Sequence, residues 1–372
     1  MKRGMEGITL IVLAFVAIFL FVPHGDAQEL AKVKFAIASK VLTPVIANTW
    51  VGEYLGYFKE EGIDPTFITS EGGVQNISTL VRNQVQIGMG LQDPLLGAAA
   101  KGEDIPIVMV YCYTRGMHYQ FGVKPDSKIQ TIRDLKGKKI GTLSFGSSLY
   151  TNFIPAALRG GGLDPKEVEI MVVGQDYPAA KALYDGRVDA LALWRGNYIQ
   201  MEGMGFPIRL IPQPPVMEKM KAGHSLGVTK EYLKNNRKIL AGFLRAFSKG
   251  NVFYIENPEA TLKIHWRMFP ETKPKGQTEA EALKINIPML QERGPYFAKD
   301  VGDGLNQFGQ FGKEAWEAYV EYLGFKGKVD PSKYYTNDLI AEANNFDVEK
   351  IRMQAKNFDI TKFRSPLEKY QR

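Results

Sequence analysis

An apolar run, Ile8–Val22, broken by Thr9 alone, stands behind Lys2 and Arg3. From Val33 onward apolar and polar positions fall into short alternating blocks. "VKFAIAS" (Val33–Ser39) and "KKIGTLS" (Lys138–Ser144) read as strands that run into a loop and then a helix. "IPIVMVY" (Ile105–Tyr111) and "IRLIPQ" (Ile208–Gln213) read as further strands. From Thr229 the spacing turns helical, in "KEYLKNNRKILAGFLRAFSKGNVFYI", "TEAEALKINIPMLQE" and "KEAWEAYVEYL".

Two stretches repeat one pattern, Gly62–Gly102 and Gly162–Gly205. Both open with Gly-(Ile/Leu)-Asp-Pro and pass through an apolar strand to a polar turn, a helix and a second strand. At one offset Leu80, Val85 and Gly102 fall on Leu183, Val188 and Gly205. With the flanking strands, each half reads β-α-β-α-β. That alternation predicts an α/β fold of two lobes, each an open, mostly parallel sheet flanked by helices. "GMHYQFGV" (Gly116–Val123) and "AGHSLGV" (Ala222–Val228) are the expected crossings between lobes. The implied division is residues 28–120 for the first lobe, 121–225 for the second, and 226–372 for the return plus a helical extension expected to pack on the first lobe.

The amino end changes the picture of location. A basic start, a run of roughly 15 apolar residues and small residues at Gly25 and Ala27 predict a secretory signal over 1–27, cleaved after Ala27. The run falls short of the ~20 residues a membrane span needs. A periplasmic protein is expected. Cys112 is the lone cysteine, which excludes an internal disulfide. The net charge of +7 is spread without a basic tract, so it favours an anionic partner but not nucleic acid.

The candidate chemistry lies in loops at the predicted carboxyl ends of strands, where open α/β sheets take their ligands. "SFGSS" is no nucleotide loop, because Lys136, Lys138 and Lys139 precede its strand and no Gly-Lys-(Ser/Thr) follows. A helix amino end with hydroxyls from Ser144, Ser147 and Ser148 would suit an anion or a strongly polar group, although a serine there equally caps the helix. In the first lobe the candidates are Ser39, Thr43, Gly73, Gln92, Asp93, Tyr113 and Thr114; in the second they are Asp176, Trp194, Arg195 and Asn197. Trp194, Tyr113 and Tyr150 would form flat walls, and Arg195 or Arg115 would pair an anionic group, unless Trp194 belongs to the core and both arginines are solvated. Asp93 and Asp176 would take an amine or ring N–H, or cap helices.

These same segments carry a resemblance. "GEYLGYFKEEGIDPTFI", "LVRNQVQIGMGLQDPLL", "IQTIRDLKGKKIGTLSFGSS" and "ALYDGRVDALALW" together resemble the extracytoplasmic substrate-binding proteins of ABC importers, in the branch serving sulfonates, nitrate, taurine and thiamine pyrimidine precursors. The likeness covers Val33–Val228 well and the helical remainder loosely. It implies a type II periplasmic-binding-protein fold, a monomer that closes on a small polar or anionic ligand. It also implies a membrane permease and an ATPase as partners, with no cofactor. The first-lobe loop Leu91–Pro94 and the "SFGSS" loop are the ligand-contacting parts the resemblance implies.

An enzyme of the same fold is the rival reading. It would need a nucleophile, and Cys112, at the end of a strand near the cleft, is the one thiol on offer. His24, His118, His224 and His265 show no metal-ligand spacing. A binding protein that serves a sensor rather than a transporter is a third reading.

Overall fold

The computed structural model describes residues 29–40, 42–145, 147, 149–218 and 220–367. The expected signal, 1–27, and Ser148 lie outside the described residues.

Ten strands form two five-stranded sheets. They are β1 (Ala31–Ile37), β2 (Ile63–Thr69), β3 (Ile87–Met89), β4 (Ile107–Cys112), β5 (Tyr119–Val123), β6 (Lys139–Thr142), β7 (Glu169–Val172), β8 (Ala190–Trp194), β9 (Arg209–Leu210) and β10 (Ser225–Thr229). The first sheet runs β2-β1-β3-β10-β4 and the second β7-β6-β8-β5-β9. In each, four strands share one direction. The fourth in order, β10 or β5, runs against both neighbours. That antiparallel strand is the one arriving from the other lobe. Alternation of strands and helices therefore gives the mostly parallel, helix-flanked sheets expected of it.

The repeat is visible in helix starts as well as in sheet order. The helices Gly73–Val81 and Asp176–Tyr184 begin 103 positions apart, as do Gln92–Ala99 and Arg195–Gly203. At the same offset Asn83 and Gly186 both take left-handed backbone after a helix, with φ of 55° and 74°. A shared turn geometry follows from the shared spacing.

Burial decides how the first lobe is built. Phe35 on β1 packs edge-on against Phe243, with ring centroids 5.5 Å apart, and against Phe247 at 6.4 Å. Both belong to the 20-residue helix Arg237–Glu256, which buries one long face on the helix Asn48–Tyr54. Arg245 and Lys249 on that helix reach Glu61 and Glu60 at 2.6 and 2.7 Å. The free edge of β4 is covered by single bridges to Tyr335 and Gly309, so the sheet presents no open edge there. The strand β9 is only two residues long, and Pro212 follows without an N–H to extend it.

The carboxyl-terminal helices depart from expectation. They do not pack on the first lobe alone. The helix Glu279–Arg293 lies along Arg195–Gly203 of the second lobe, where Gln200 Nε2 donates to Asn286 Oδ1 at 3.3 Å. The helix Lys313–Tyr322 adds Trp316, Tyr319 and Tyr322 to a core that also holds Leu91 and Cys112 of the first lobe and Phe121 and Phe153 of the second. Apolar surface left on both bodies near the crossings is what these helices bury.

Gly73 is one place where the absence of a side chain is required. A Cβ there would lie 2.0 Å from the Gly90 carbonyl oxygen, whereas at Gly97 nothing lies within 4 Å. Gly73→Ala should therefore cost about 1–3 kcal/mol from forced backbone movement. Gly97→Ala, inside the helix Gln92–Ala99, should gain about 0.5–1 kcal/mol from helix propensity. Urea unfolding of both variants checks the pair, and equal effects would contradict it.

Candidate functional site

Asp93, which follows β3, and Asn152, which follows β6, meet the two crossings around one cavity. The crossings themselves touch backbone to backbone. Tyr113 and Thr114 N–H groups donate to the His224 carbonyl at 3.0 and 3.2 Å, and His224 N–H donates to Thr114 Oγ1 at 2.7 Å. A Cβ on Gly223 would come 2.5 Å from the Thr114 carbonyl, so this approach needs glycine. Thr114 is thus occupied in joining the crossings.

His224 is the centre of this seam. The Tyr113 hydroxyl meets its Nδ1 at 3.2 Å and the Tyr119 hydroxyl its Nε2 at 3.0 Å. Burial, reinforced by the charge of Arg293, holds the His224 imidazole down to about 3, so it is neutral at ordinary pH. A neutral ring donates through one nitrogen and accepts through the other, so one tyrosine accepts and the other donates. His118 lies 5.4 Å away centroid to centroid, buried and held well below the usual histidine range by the same two causes.

Two cavities adjoin the crossing segment Gly116–Met117. One, of about 20 Å³, is bounded by Asp93, His118, Tyr119, Asn152, His224, Tyr319 and Tyr322. It has room for about one water, so anything larger enters only when the lobes or the two tyrosines move. The other, of about 560 Å³, is bounded by Arg115, Gln120, Ile211, Gln213, Met217, Met220 and Tyr296 among others, a size ordinary for a small-molecule site.

The expected first-lobe residues fall into two groups. Asp93 is buried and accepts from the Tyr319 hydroxyl inside the smaller cavity. Tyr113 is buried with its ring stacked on Phe297 at 5.9 Å. Gln92 Oε1 accepts from Ser225 N–H at 3.2 Å, fastening a helix start to β10. Further out, Thr43 Oγ1 caps the turn Pro44–Ile46, Ser39 carbonyl accepts from Ser70 N–H at 3.1 Å, and Gly73 serves the close packing already described.

In the second lobe, Ser147 Oγ donates to the Ser144 carbonyl at 2.7 Å and accepts from Tyr150 N–H at 3.4 Å. It caps the turn of helix that follows. Asn197 Nδ2 donates to Asp176 Oδ1 at 2.8 Å, and burial raises the Asp176 carboxyl above the usual range. Trp194 lies over Gly196, whose Cβ would fall 1.7 Å from its ring, and packs onto the core of the first lobe. It is a second-lobe side chain reaching the other body. Arg195 N–H donates to the His118 carbonyl at 2.8 Å, and its guanidinium stays partly exposed near Glu202.

One expectation is corrected, and the rival enzyme reading loses its residue. Arg115 is not free to pair an anion. It is enclosed, ion-paired to Asp303 at 3.2 Å, and donates to the Ala298 and Lys299 carbonyls. Cys112 does not face a cleft as a nucleophile. It is buried, its Sγ points to the Thr114 carbonyl at 3.4 Å, and burial pushes its thiol up to about 11. Among the described residues no group of His, Cys, Asp or Glu is arranged to hold a metal ion.

Sequence reasoning missed His224, Tyr119, Asn152, Tyr319 and Tyr322, which bound the smaller cavity. A signal existed for the first two, which stand in the crossing segments, where both lobes must meet. None existed for the others, since their spacing is that of ordinary helix faces.

A two-lobed body with exchanged strands and a cavity at the seam is the type II periplasmic-binding fold. Residues 43–261 match the family described as NMT1/THI5 like, and the chain belongs to that family. It is 22% identical over 325 residues to the riboflavin-binding protein RibY of Chloroflexus aurantiacus, covering 86% of this chain and 89% of that one. It is 24% identical over 281 residues to the formylaminopyrimidine-binding protein of Halalkalibacterium halodurans, covering 72% and 77%. The alkanesulfonate-binding protein SsuA of Xanthomonas axonopodis pv. citri, solved with MOPS, superposes with a TM-score of 0.57 at 16% identity over 85% of this chain and 98% of that one. Both sequence relatives are binding proteins.

The enclosed histidines make stability depend on acidity. His118 and His265 are buried, and desolvation holds His118 well below the usual value and His265 down to about 3. The unfolded chain protonates them near pH 6.5 while the folded chain does not, so their stabilisation is present above that pH and lost as pH falls toward the folded values. Each ring should cost about 1 kcal/mol between pH 7.5 and 5.5. Asp176 and Glu292, whose carboxyls burial raises, oppose this at lower pH. Urea unfolding at the two pH values checks it; a His265→Gln variant should show the smaller loss.

Proposed function

We propose that the protein is the extracytoplasmic solute-binding component of an ABC importer, which captures a small polar or anionic organic ligand between its lobes. The carrying observation is the seam. Asp93 from the first lobe, Asn152 from the second, and His118, Tyr119 and His224 from the crossings bound one cavity. A ligand there touches both bodies at once, and it favours the closed arrangement only by binding that arrangement more tightly. The spacing of the lobes is then what a permease would read. In this reading residues 1–27 direct export, 28–120 and 226–372 form the first body with its extension, and 121–225 form the second.

The chemistry of the seam supports a flat heterocycle bearing polar groups. Tyr119, Tyr319, Tyr322 and the two imidazoles offer ring faces, and Asp93 offers an acceptor for a ring N–H or amine. Two binding relatives named for riboflavin and formylaminopyrimidine agree with that class. The enzyme reading is disfavoured by Cys112, since a thiol pushed up to about 11 is almost wholly protonated at neutral pH.

Mass spectrometry of small molecules released from the purified protein should find one heterocyclic or anionic solute at near-equal stoichiometry. Calorimetry with that solute should give unchanged affinity for Cys112→Ser. Trp194→Ala should bind about tenfold more weakly, since the residue spans the lobes. Conversion of the solute to a product, abolished by Cys112→Ser, would overturn the binding reading in favour of catalysis.

A further inference from the structure

The larger cavity lies outside the proposed solute site. It measures about 560 Å³ against about 20 Å³ at the seam, and the two have only Gly116 and Met117 in common. Its wall comes from three stretches of chain: the first crossing, the segment leading from β9 to the second crossing, and the turn Gly294–Phe297 with the residues after it. The turn is fastened to the crossing, since Arg115 N–H donates to the Tyr296 carbonyl at 2.9 Å. A Cβ on Gly116 would come 3.0 Å from the Tyr296 ring, so ring and crossing are in close contact. Met117, Met217 and Met220 add unbranched side chains, which reshape readily around an apolar body.

Two glutamines stand in the same wall. The side-chain oxygens of Gln120 and Gln213 are buried, and no donor reaches either. Gln213 Nε2 donates to the Tyr119 carbonyl at 3.4 Å, which orients that amide and leaves its oxygen as the free acceptor. Buried acceptors in folded proteins have a donor, either from the protein or from something bound. The charges of the wall do not call for an ion. Arg115 is answered by Asp303 and two carbonyls, and the other two charged residues, Lys221 and Asp300, are opposite in sign.

We propose that this cavity is a second binding site, separate from the seam, for a small uncharged molecule with an apolar body and N–H or O–H donors. The methionines and Tyr296 hold the body, and the amide oxygens of Gln120 and Gln213 take the donors.

The test follows the full chain by nuclear magnetic resonance with methyl-labelled methionine, its signals assigned from single Met→Leu variants. The probes are benzamide, N,N-dimethylbenzamide, which has no N–H, and benzoate, which is charged. Benzamide should shift the methyl signals of Met117, Met217 and Met220 saturably and leave Met201, in the core of the second lobe, unmoved. The other two probes should bind at least about threefold more weakly. Gln120→Leu should weaken benzamide about three- to tenfold. Gln213→Leu should do the same, and it decides the matter if the first variant does not fold. No saturable shift at the three methyls, equal binding of the three probes, or full affinity in a folded glutamine variant overturns the proposal. Displacement of benzamide by the solute released from the purified protein would overturn it too, since the cavity would then be the solute's own.

Discussion

Two crossing segments pressed together at Thr114, Gly223 and His224 set the terms for everything else in this molecule. Each sheet is completed by a strand that comes from the opposite body, and that strand is hydrogen-bonded on both edges. Neither lobe can leave with its sheet intact. At the seam the two crossings run side by side, and a glycine at 223 is the condition for that contact. A binding protein of this design needs lobes that move but cannot drift, and the exchanged strands supply both properties.

The seam is also where polar groups are enclosed. Tyr113 and Tyr119 hold the imidazole of His224 from two sides, and Tyr319 is committed to Asp93. Such bonds orient each ring without using up its face. The extension beyond the second crossing reaches this place through Tyr319 and Tyr322 of the helix Lys313–Tyr322. It packs at the seam rather than on one lobe alone.

Much of the architecture was legible because it obeys short-range rules. Leu80, Val85 and Gly102 repeat at Leu183, Val188 and Gly205, and the helices beside them start at that same spacing in the folded chain. The candidate loops do lie beyond strand ends. Asp93, Tyr113 and Thr114 come together at the seam, whereas Ser39, Thr43 and Gly73 are used in turns and packing, and Ser147 caps a helix. The enclosure of Arg115 was not legible, because burial and partners, on which its chemistry depends, belong to contacts far apart in sequence. Asp303, which neutralises Arg115, is 188 positions away.

The amino-acid order by itself determined the alternation of strands and helices, the internal repeat, the two crossing segments and thereby the class of fold. These follow from side-chain periodicity and turn chemistry, which act over a few residues. Only the tertiary structure decided which carboxylate answers Arg115, which tyrosines hold His224, and that the last third of the chain packs on both lobes. Those outcomes depend on desolvation and on pairing across long stretches of chain, and neither has a local signature.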